Sequence, residues 1–382
     1  MTDLSAASQP RKLGFAKAAP FWLSLGLVPV VLIAASQGGW TIFLVPMSTW
    51  LLFSVVDTVF DLGTANNDPD TPDDGMFWHT AITLIWPPVQ ALVVFGVIAY
   101  LARTDHTTWL EELGIAFGIG VLSGTIGIVY AHELMHQKPR IERALGDILM
   151  TMVLYGHFRS EHLLVHHRYV GTPKDTVTAR YNENFHRFFP RVLVQGLRSA
   201  WGAEKAMLAR KGRPVWDRSN PFWLYGAMQA GFLTLALIVG GWWGLVLFAF
   251  QALTAVWQLE LVNYVEHYGL TRKHLGDGKY EPTGPQHSWN ADQQATNWLL
   301  INLQRHSDHH YKPSRRFPLL QSRPADEAPQ LPYSYAVMTT MALVPPLWRR
   351  RMNPRVRAWR KKFYPEITDW RPYNTMTNPM PR

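Results

Sequence analysis

Long uncharged runs, rather than alternation, dominate the pattern of apolar and polar positions along this chain. Residues 21–36, 40–60, 77–101, 109–130, 222–242 and 243–262 are nearly free of charge. Most of these runs approach the roughly 20 residues that a helix needs to cross the hydrocarbon of a bilayer. The pattern predicts six transmembrane helices. The first run is short, follows Arg11, Lys12 and Lys17 and closes on Ala34-Ala35-Ser36, which also fits a cleaved signal segment. The second run starts only a few residues later and looks like the return leg of a hairpin, which favours a helix that stays.

The runs divide the chain into a basic leader (1–19), helices one to four (20–131), a polar segment (132–220), helices five and six (221–265) and a polar C-terminal region (266–382). Pro87-Pro88 should kink helix three, because a proline ring removes a backbone donor and crowds the preceding turn. Helix four carries Gly114, Gly118, Gly120, Ser123, Gly124 and Gly127, small residues that let a neighbouring backbone approach. Helix two carries Trp50, Phe53 and Asp57 at helical spacing, a stripe that ordinary packing explains.

Charge sets the expected orientation. Lys and Arg number 37 against 28 Asp and Glu, a net charge of +9, and the excess sits in the polar segments after Gln137 and after Arg305. Basic loops stay in the cytoplasm. The expectation is a bacterial inner-membrane protein with both termini cytoplasmic, although the acidic loop at 64–75 sits on the predicted inner side. There is no cysteine, which excludes disulfides, iron–sulfur clusters and a haem-thiolate site. Electrons for any redox reaction must therefore come from another protein or a soluble cofactor.

The same topology delivers four histidine stretches to one side of the bilayer: His132-Glu-Leu-Met-His136, Glu161-His162-Leu-Leu-Val-His166-His167, Asn263-Tyr-Val-Glu266-His267 and Leu303-Gln-Arg-His306-Ser-Asp308-His309-His310. Imidazole is the commonest metal-binding side chain, and spacings of three and four put two rings on one helix face. One ion rarely takes more than five or six protein ligands, so nine candidates argue for two metals. Glu133, Glu161, Glu266 and Asp308 stand beside them and are expected to accept ring N–H bonds and orient the imidazoles. His157, His186, His274 and His287 lie outside the tight stretches and are expected to be structural or supporting; His79 and His106 are expected at the surface or an interface.

Alternatives remain at this point. His132-Glu133-Leu-Met-His136 fits a zinc protease, with Glu133 activating water, but that leaves seven histidines unexplained. A metal transporter or sensor would need polar residues inside the helices, and these are scarce. Imidazole alone does not choose the metal; two metals, a membrane and a long apolar bundle favour redox-active iron acting on a lipid-soluble molecule.

The HxxxH, HxxxHH and HxxHH boxes resemble those of the membrane fatty acid desaturase and hydroxylase superfamily. The fuller strings at 263–270 and 303–310, with His287-Ser-Trp-Asn290, are similar to the integral-membrane alkane 1-monooxygenase family. Gln137 stands where that family usually has lysine, and Leu163-Leu164-Val165 replaces a more polar stretch. The resemblance implies an all-α fold, a six-transmembrane-helix bundle with a cytoplasmic histidine-rich di-iron cap. It also implies two non-haem iron ions, O2 as co-substrate, an n-alkane oxidised at its terminal carbon, and electrons from rubredoxin, reduced by rubredoxin reductase. A xylene-type hydroxylase and a fatty-acyl desaturase are the alternatives within the superfamily. Thr49, Trp50 and Phe53 are expected at the far end of the substrate channel. Rubredoxins are generally acidic, so Arg315, Arg316, Arg349, Arg350, Arg351 and Arg355 are expected to dock the electron donor, with an attraction that weakens in salt.

Overall fold

The computed structural model describes residues 12–375; residues 1–11 of the expected leader lie outside it. Helices α1 (Phe15–Gln37), α2 (Gly39–Val56), α3 (Asp73–Leu101) and α4 (Trp109–Met135) form the first part of the bundle. Residues 15–19, expected in the leader, belong to α1. Then come α5 (Arg140–Met152), α6 (Phe158–Glu161), α7 (Phe185–Arg210) and α8 (Phe222–His267). Beyond these, α9 (Gln294–Leu299), α10 (His306–Tyr311), α11 (Tyr335–Ala342) and α12 (Pro345–Phe363) belong to a polar cap. A small antiparallel hairpin of β1 (His274–Gly276) and β2 (Lys279–Tyr280) interrupts the stretch after α8.

Five helices, α1 to α4 and α8, are long and apolar enough to cross a membrane, which makes this a multi-pass membrane protein. Element α8 is not one straight rod. Gly241 has φ 63° and ψ −160°, a conformation that glycine adopts without the steric cost of a Cβ. Phe95 of α3 stacks on Phe232 at 5.7 Å and on Phe248 at 5.4 Å. A continuous helix would hold two residues sixteen positions apart about 24 Å from each other. The chain therefore folds back at Gly241, near the boundary that the sequence places between its last two apolar runs.

Helix α4 is the most enclosed of the five, and its small residues make that possible. A Cβ on Gly120 would fall 2.6 Å from the Gln251 carbonyl oxygen of α8, and one on Gly127 would overlap the Gln90 side chain of α3 at 1.9 Å. Close backbone approach is what the small-residue stripe predicts. The ends of α4 and α8 consequently lie side by side under the cap. Asp57, at the end of α2, accepts the Thr296 N–H at 3.0 Å and caps the start of α9. Arg305 gives N–H bonds to the Gly63 and Ala65 carbonyls at 2.7 and 3.0 Å, tying the loop after α2 to the residue before His306.

Candidate metal centre

Each histidine arrives on an element whose local fold is readable. His132 and His136 lie one turn apart at the end of α4, and His267 ends α8. His306, His309 and His310 lie on α10, whose first turn is held by Asn290: its Oδ1 accepts the Ser307 N–H at 2.9 Å and hydroxyl at 2.6 Å. That gives the His287-Ser-Trp-Asn290 string a structural role. Residues His162–His166 form a π turn, a feature that widens the helix and recurs at functional sites.

The π turn decides how the histidines are sorted. His162 pairs with His167, five residues on, with Nε2 atoms 3.0 Å apart. They join His132, His136 and His309 in one group, while His166 joins His267, His306 and His310 in a second; within each group all ligand nitrogens lie within 4.8 Å of one another. All nine expected ligands thus converge in two adjacent clusters. Ring centroids of His166 and His167, one from each cluster, are 5.9 Å apart.

The nitrogen contacts are those of ligands around a cation rather than a hydrogen-bond network. The Nε2 atoms of His136, His162 and His167 make a triangle with sides of 3.0, 3.2 and 3.0 Å. Each Nε2 either carries a proton or does not, so at least two of the three are in the same state and cannot bond to each other. A cation facing three lone pairs removes the conflict. Two nitrogens about 2.1 Å from one ion, at right angles, lie about 3.0 Å apart, the spacing found here. His166 Nε2 is buried without a partner on the second cluster. Burial holds His136, His162, His167, His306, His309 and His310 well below the ordinary imidazole range, so they are neutral, as ligands must be.

The carboxylates follow a different plan from the one the sequence suggests. Glu266 alone of the four comes near an imidazole nitrogen, with Oε2 3.3 Å from His306 Nε2. Glu133 accepts from Gln137 Nε2 at 2.9 Å and from the Phe317 N–H at 3.2 Å, so it braces the cap instead of orienting a ring. Gln137 is accommodated by that bond. Asp308 accepts from Arg323 at 2.9 Å, from the Gln321 N–H at 3.0 Å and from Arg315. Both oxygens of buried Glu161 lack a hydrogen-bond partner; burial and the nearby Asp175 and Glu260 push its carboxyl well up, against a smaller opposing pull from the Thr176 hydroxyl. The residue that does orient a ring is Asp175, whose Oδ2 lies 3.0 Å from His166 Nδ1. Burial alone would raise the Asp175 carboxyl, but His166 and the Thr178 hydroxyl outweigh it and keep it below its ordinary range. It belongs to no histidine box and no helix, so the sequence carries no signal for it.

With Glu133 engaged by Gln137 and Phe317, the zinc-protease arrangement loses its water-activating group. The donor set, all nitrogen and neutral, fits a non-haem iron centre. Beneath the clusters lies a narrow, apolar cavity. Ile128, Val129, Phe158, Leu259 and Val262 line it, with His132, His162 and His306 at its polar end. A second cavity shares Val262 and reaches Thr49 on α2. Trp50 packs edge-on against Phe117 at 5.9 Å and lies 6.4 Å from Trp257, while Phe53 is half-buried against the core.

Of the arginines expected at the surface, Arg350 is exposed. Arg316 is not: it is 7% exposed and lies in a double hydrogen bond to Glu142, at 2.9 Å to each oxygen, with Asp73 also paired to it. The inside-positive pattern does not distinguish a buried structural arginine from a docking one. Arg315 is held by Asp308. Arg349 donates to the Asn182 carbonyl at 3.1 Å, Arg351 lies over the Tyr333 ring at 5.0 Å, and Arg355 donates to the Arg351 carbonyl at 2.9 Å. His79, expected at a surface or interface, is 1% exposed and packs between Phe21 and Phe317.

The helical bundle and its histidine clusters define a membrane-bound oxidoreductase of the desaturase class, and residues 107–342 match the family model described as fatty acid desaturase. The chain is 39% identical over 325 residues to alkane 1-monooxygenase 1 of Pseudomonas aeruginosa, covering 80% of this chain and 83% of that protein. It is 35% identical over 346 residues to alkane 1-monooxygenase 2 of Alcanivorax borkumensis, covering 88% and 90%. The xylene/toluene monooxygenase hydroxylase component of Pseudomonas putida is 29% identical over 331 residues, covering 84% and 85%. The chain belongs to the alkane 1-monooxygenase family.

Proposed function

We propose that this protein hydroxylates the terminal carbon of medium- and long-chain n-alkanes, using O2 and two electrons from rubredoxin, which rubredoxin reductase recharges. The reaction balances as RH + O2 + 2e− + 2H+ → ROH + H2O. Two non-haem irons, one in each histidine cluster, supply the activation of oxygen when bound. His132, His136, His162, His167 and His309 hold one, and His166, His267, His306 and His310 hold the other.

The observation that carries this reading is the position of the apolar cavity directly against His132, His162 and His306. An alkane offers no polar handle, so its binding must come from burying methylenes, about 0.8 kcal/mol each. Ile128, Leu259 and Val262 provide that surface. The cavity's narrowness favours an end-on chain whose last carbon meets the imidazole cluster, and the continuation toward Thr49, Trp50 and Phe53 sets the chain length accepted. Buried Glu266, with Oε2 3.3 Å from His306 Nε2, borders the same space.

The proposed orientation rests on charge. If the reversal at Gly241 gives α8 two crossings, the spans number six and the two termini share a side, which this reading takes to be the cytoplasmic side of a bacterial inner membrane, together with the clusters. The basic cap supports this, because lysine and arginine are retained inside.

The test is reconstitution in lipid with iron, rubredoxin, its reductase, 18O2 and a mixture of dodecane and xylene. Dodecan-1-ol carrying one labelled oxygen and two irons per chain are the expected result. An alkene, a benzylic alcohol in preference to dodecanol, or one zinc per chain would replace this reading.

A further inference from the structure

A reaction that consumes two external electrons, in a chain with no cysteine, needs a place where a reduced carrier meets the protein. A cleft of about 630 Å3 opens between α12 and the C-terminal segment, lined by Tyr181, Arg357, Arg360, Lys361, Tyr364 and Trp370. Among the described residues, no carboxylate pairs with its cations. Arg360, 7% exposed, is sandwiched between the Tyr181 and Trp370 rings at 4.5 and 4.3 Å and donates to Asn374 Oδ1 at 2.7 Å, while its Nε has no partner. Arg357 donates to the Tyr181 hydroxyl at 3.0 Å. The nearby carboxylates are already taken: Glu366 pairs with Lys273, and Asp369 with Arg371 at 2.8 Å.

The cleft also leads inward. His287 Nδ1 accepts the Gly284 N–H at 2.8 Å, so its Nε2 carries the proton and faces both Glu281 Oε1 at 3.1 Å and the Tyr364 hydroxyl at 2.7 Å, and that hydroxyl in turn donates to Glu281. Two residues on, Trp289 donates its backbone N–H to the Glu266 carbonyl at 2.9 Å and its indole N–H to the Tyr268 carbonyl at 3.0 Å. A short run of hydrogen bonds and packed groups therefore joins the cleft wall to a histidine of the second cluster.

We infer that the cleft formed by Arg357, Arg360, Lys361, Tyr364 and Trp370 is the docking site for the acidic one-electron carrier, and that Tyr364 and His287 lie on its route to His267. The inference rests on the hydroxylase reading above. Carboxylates of the carrier meet exposed Arg357 and Lys361, which stand beside buried Arg360, and its apolar rim meets the aromatic wall. Two reduced iron–sulfur carriers dock in turn for each alcohol formed; each gives up one electron and leaves oxidised. Arg315, Arg349, Arg351 and Arg355 are engaged within the protein, so among the basic residues at 315 and 349–355 only exposed Arg350 competes with this cleft as a complement to an acidic surface.

The experiment uses full-length protein in lipid nanodiscs, a rubredoxin as probe, and the double variant Arg357→Glu with Lys361→Glu, two exposed residues. Rubredoxin binding and its KM in hydroxylation are measured at low and high salt, and single-turnover alcohol formation is measured after chemical reduction without rubredoxin. At low salt the double variant should bind rubredoxin at least tenfold more weakly, raise its KM by a similar factor and lose most of the salt dependence, with chemically reduced turnover unchanged. Arg350→Glu, two helical turns before Arg357 on α12 and outside the cleft lining, should cost far less binding than the double variant, staying within about twofold of the parent at physiological salt. Unchanged rubredoxin affinity in the double variant, or an equal loss in Arg350→Glu, overturns the docking site. If the parent makes no alcohol with either electron source, the hydroxylase reading fails while the binding comparison still decides the docking site.

Discussion

Asp175 Oδ2 accepts from His166 Nδ1 at 3.0 Å, with both side chains buried. That bond fixes the proton on Nδ1 and leaves Nε2 free to face the second cluster. Replacing a ligand's supporting carboxylate characteristically weakens metal binding about 10- to 100-fold. Asp175→Asn should therefore lose iron selectively from the four-histidine cluster, the five-histidine cluster remaining filled. Iron per chain, measured after dialysis against a weak chelator, should fall from about two toward one. Retention of both irons at parental affinity would show that Asp175 does not orient a ligand.

Trp50 packs against Phe117 and Trp257, one residue along α2 from Thr49, which lines the second cavity. Trp50→Ala removes the bulk without touching a histidine. In competition among alkanes of different length, the preferred product should move to longer chains, since each added buried methylene contributes about 0.8 kcal/mol. Gas chromatography of the alcohols gives the answer directly. An unchanged length profile would place the channel's end elsewhere.

Gly120 meets α8 so closely that an added methyl would fall 2.6 Å from the Gln251 carbonyl oxygen, whereas Gly96 has nothing within 4 Å of the same added atom. Gly120→Ala should cost about 1–3 kcal/mol by overpacking, with Gly96→Ala close to neutral. Thermal unfolding in one detergent, side by side, tests the contrast. Equal midpoints for the two variants would contradict the α4–α8 contact.

Burial lowers the His157 imidazole from 6.5 to about 4, and its Nε2 has no hydrogen-bond partner. Between those values the unfolded chain binds a proton that the folded one refuses, so stability falls as the pH drops through this window. The contribution is fully present above pH 6.5 and fades at about 1.4 kcal/mol per pH unit below it. Relative to His157→Gln, the parent should lose about 2 kcal/mol between pH 6.5 and 5, read from chemical unfolding at both values. A pH-independent gap would mean that His157 is charged in the folded protein.

The apolar runs, the four histidine boxes and the lack of cysteine were enough to reach a helical membrane oxidoreductase. Helix-length hydrophobic runs have few other solutions in lipid, and nine imidazoles in boxes have few other uses. The boundary between the last two runs was legible for the same reason: Gly240-Gly241 interrupts an otherwise continuous apolar stretch, and Gly241 is where the chain turns. Arg316 and Asp308 were misjudged because a charged residue's partner depends on what folds beside it. Arg316 meets Glu142 and Asp308 meets Arg323, at separations of 174 and 15 residues.

Local sequence thus determined the membrane helices and the identity of the histidines, because hydrophobic length and side-chain chemistry act without reference to distant residues. Only the tertiary structure decided their sorting into clusters of five and four. A π turn brings His162 to His167 rather than to His166, and a loop carboxylate at Asp175 holds His166 toward the other cluster. Spacing along the chain does not specify either outcome, since both depend on how α4, α8 and the cap pack against one another.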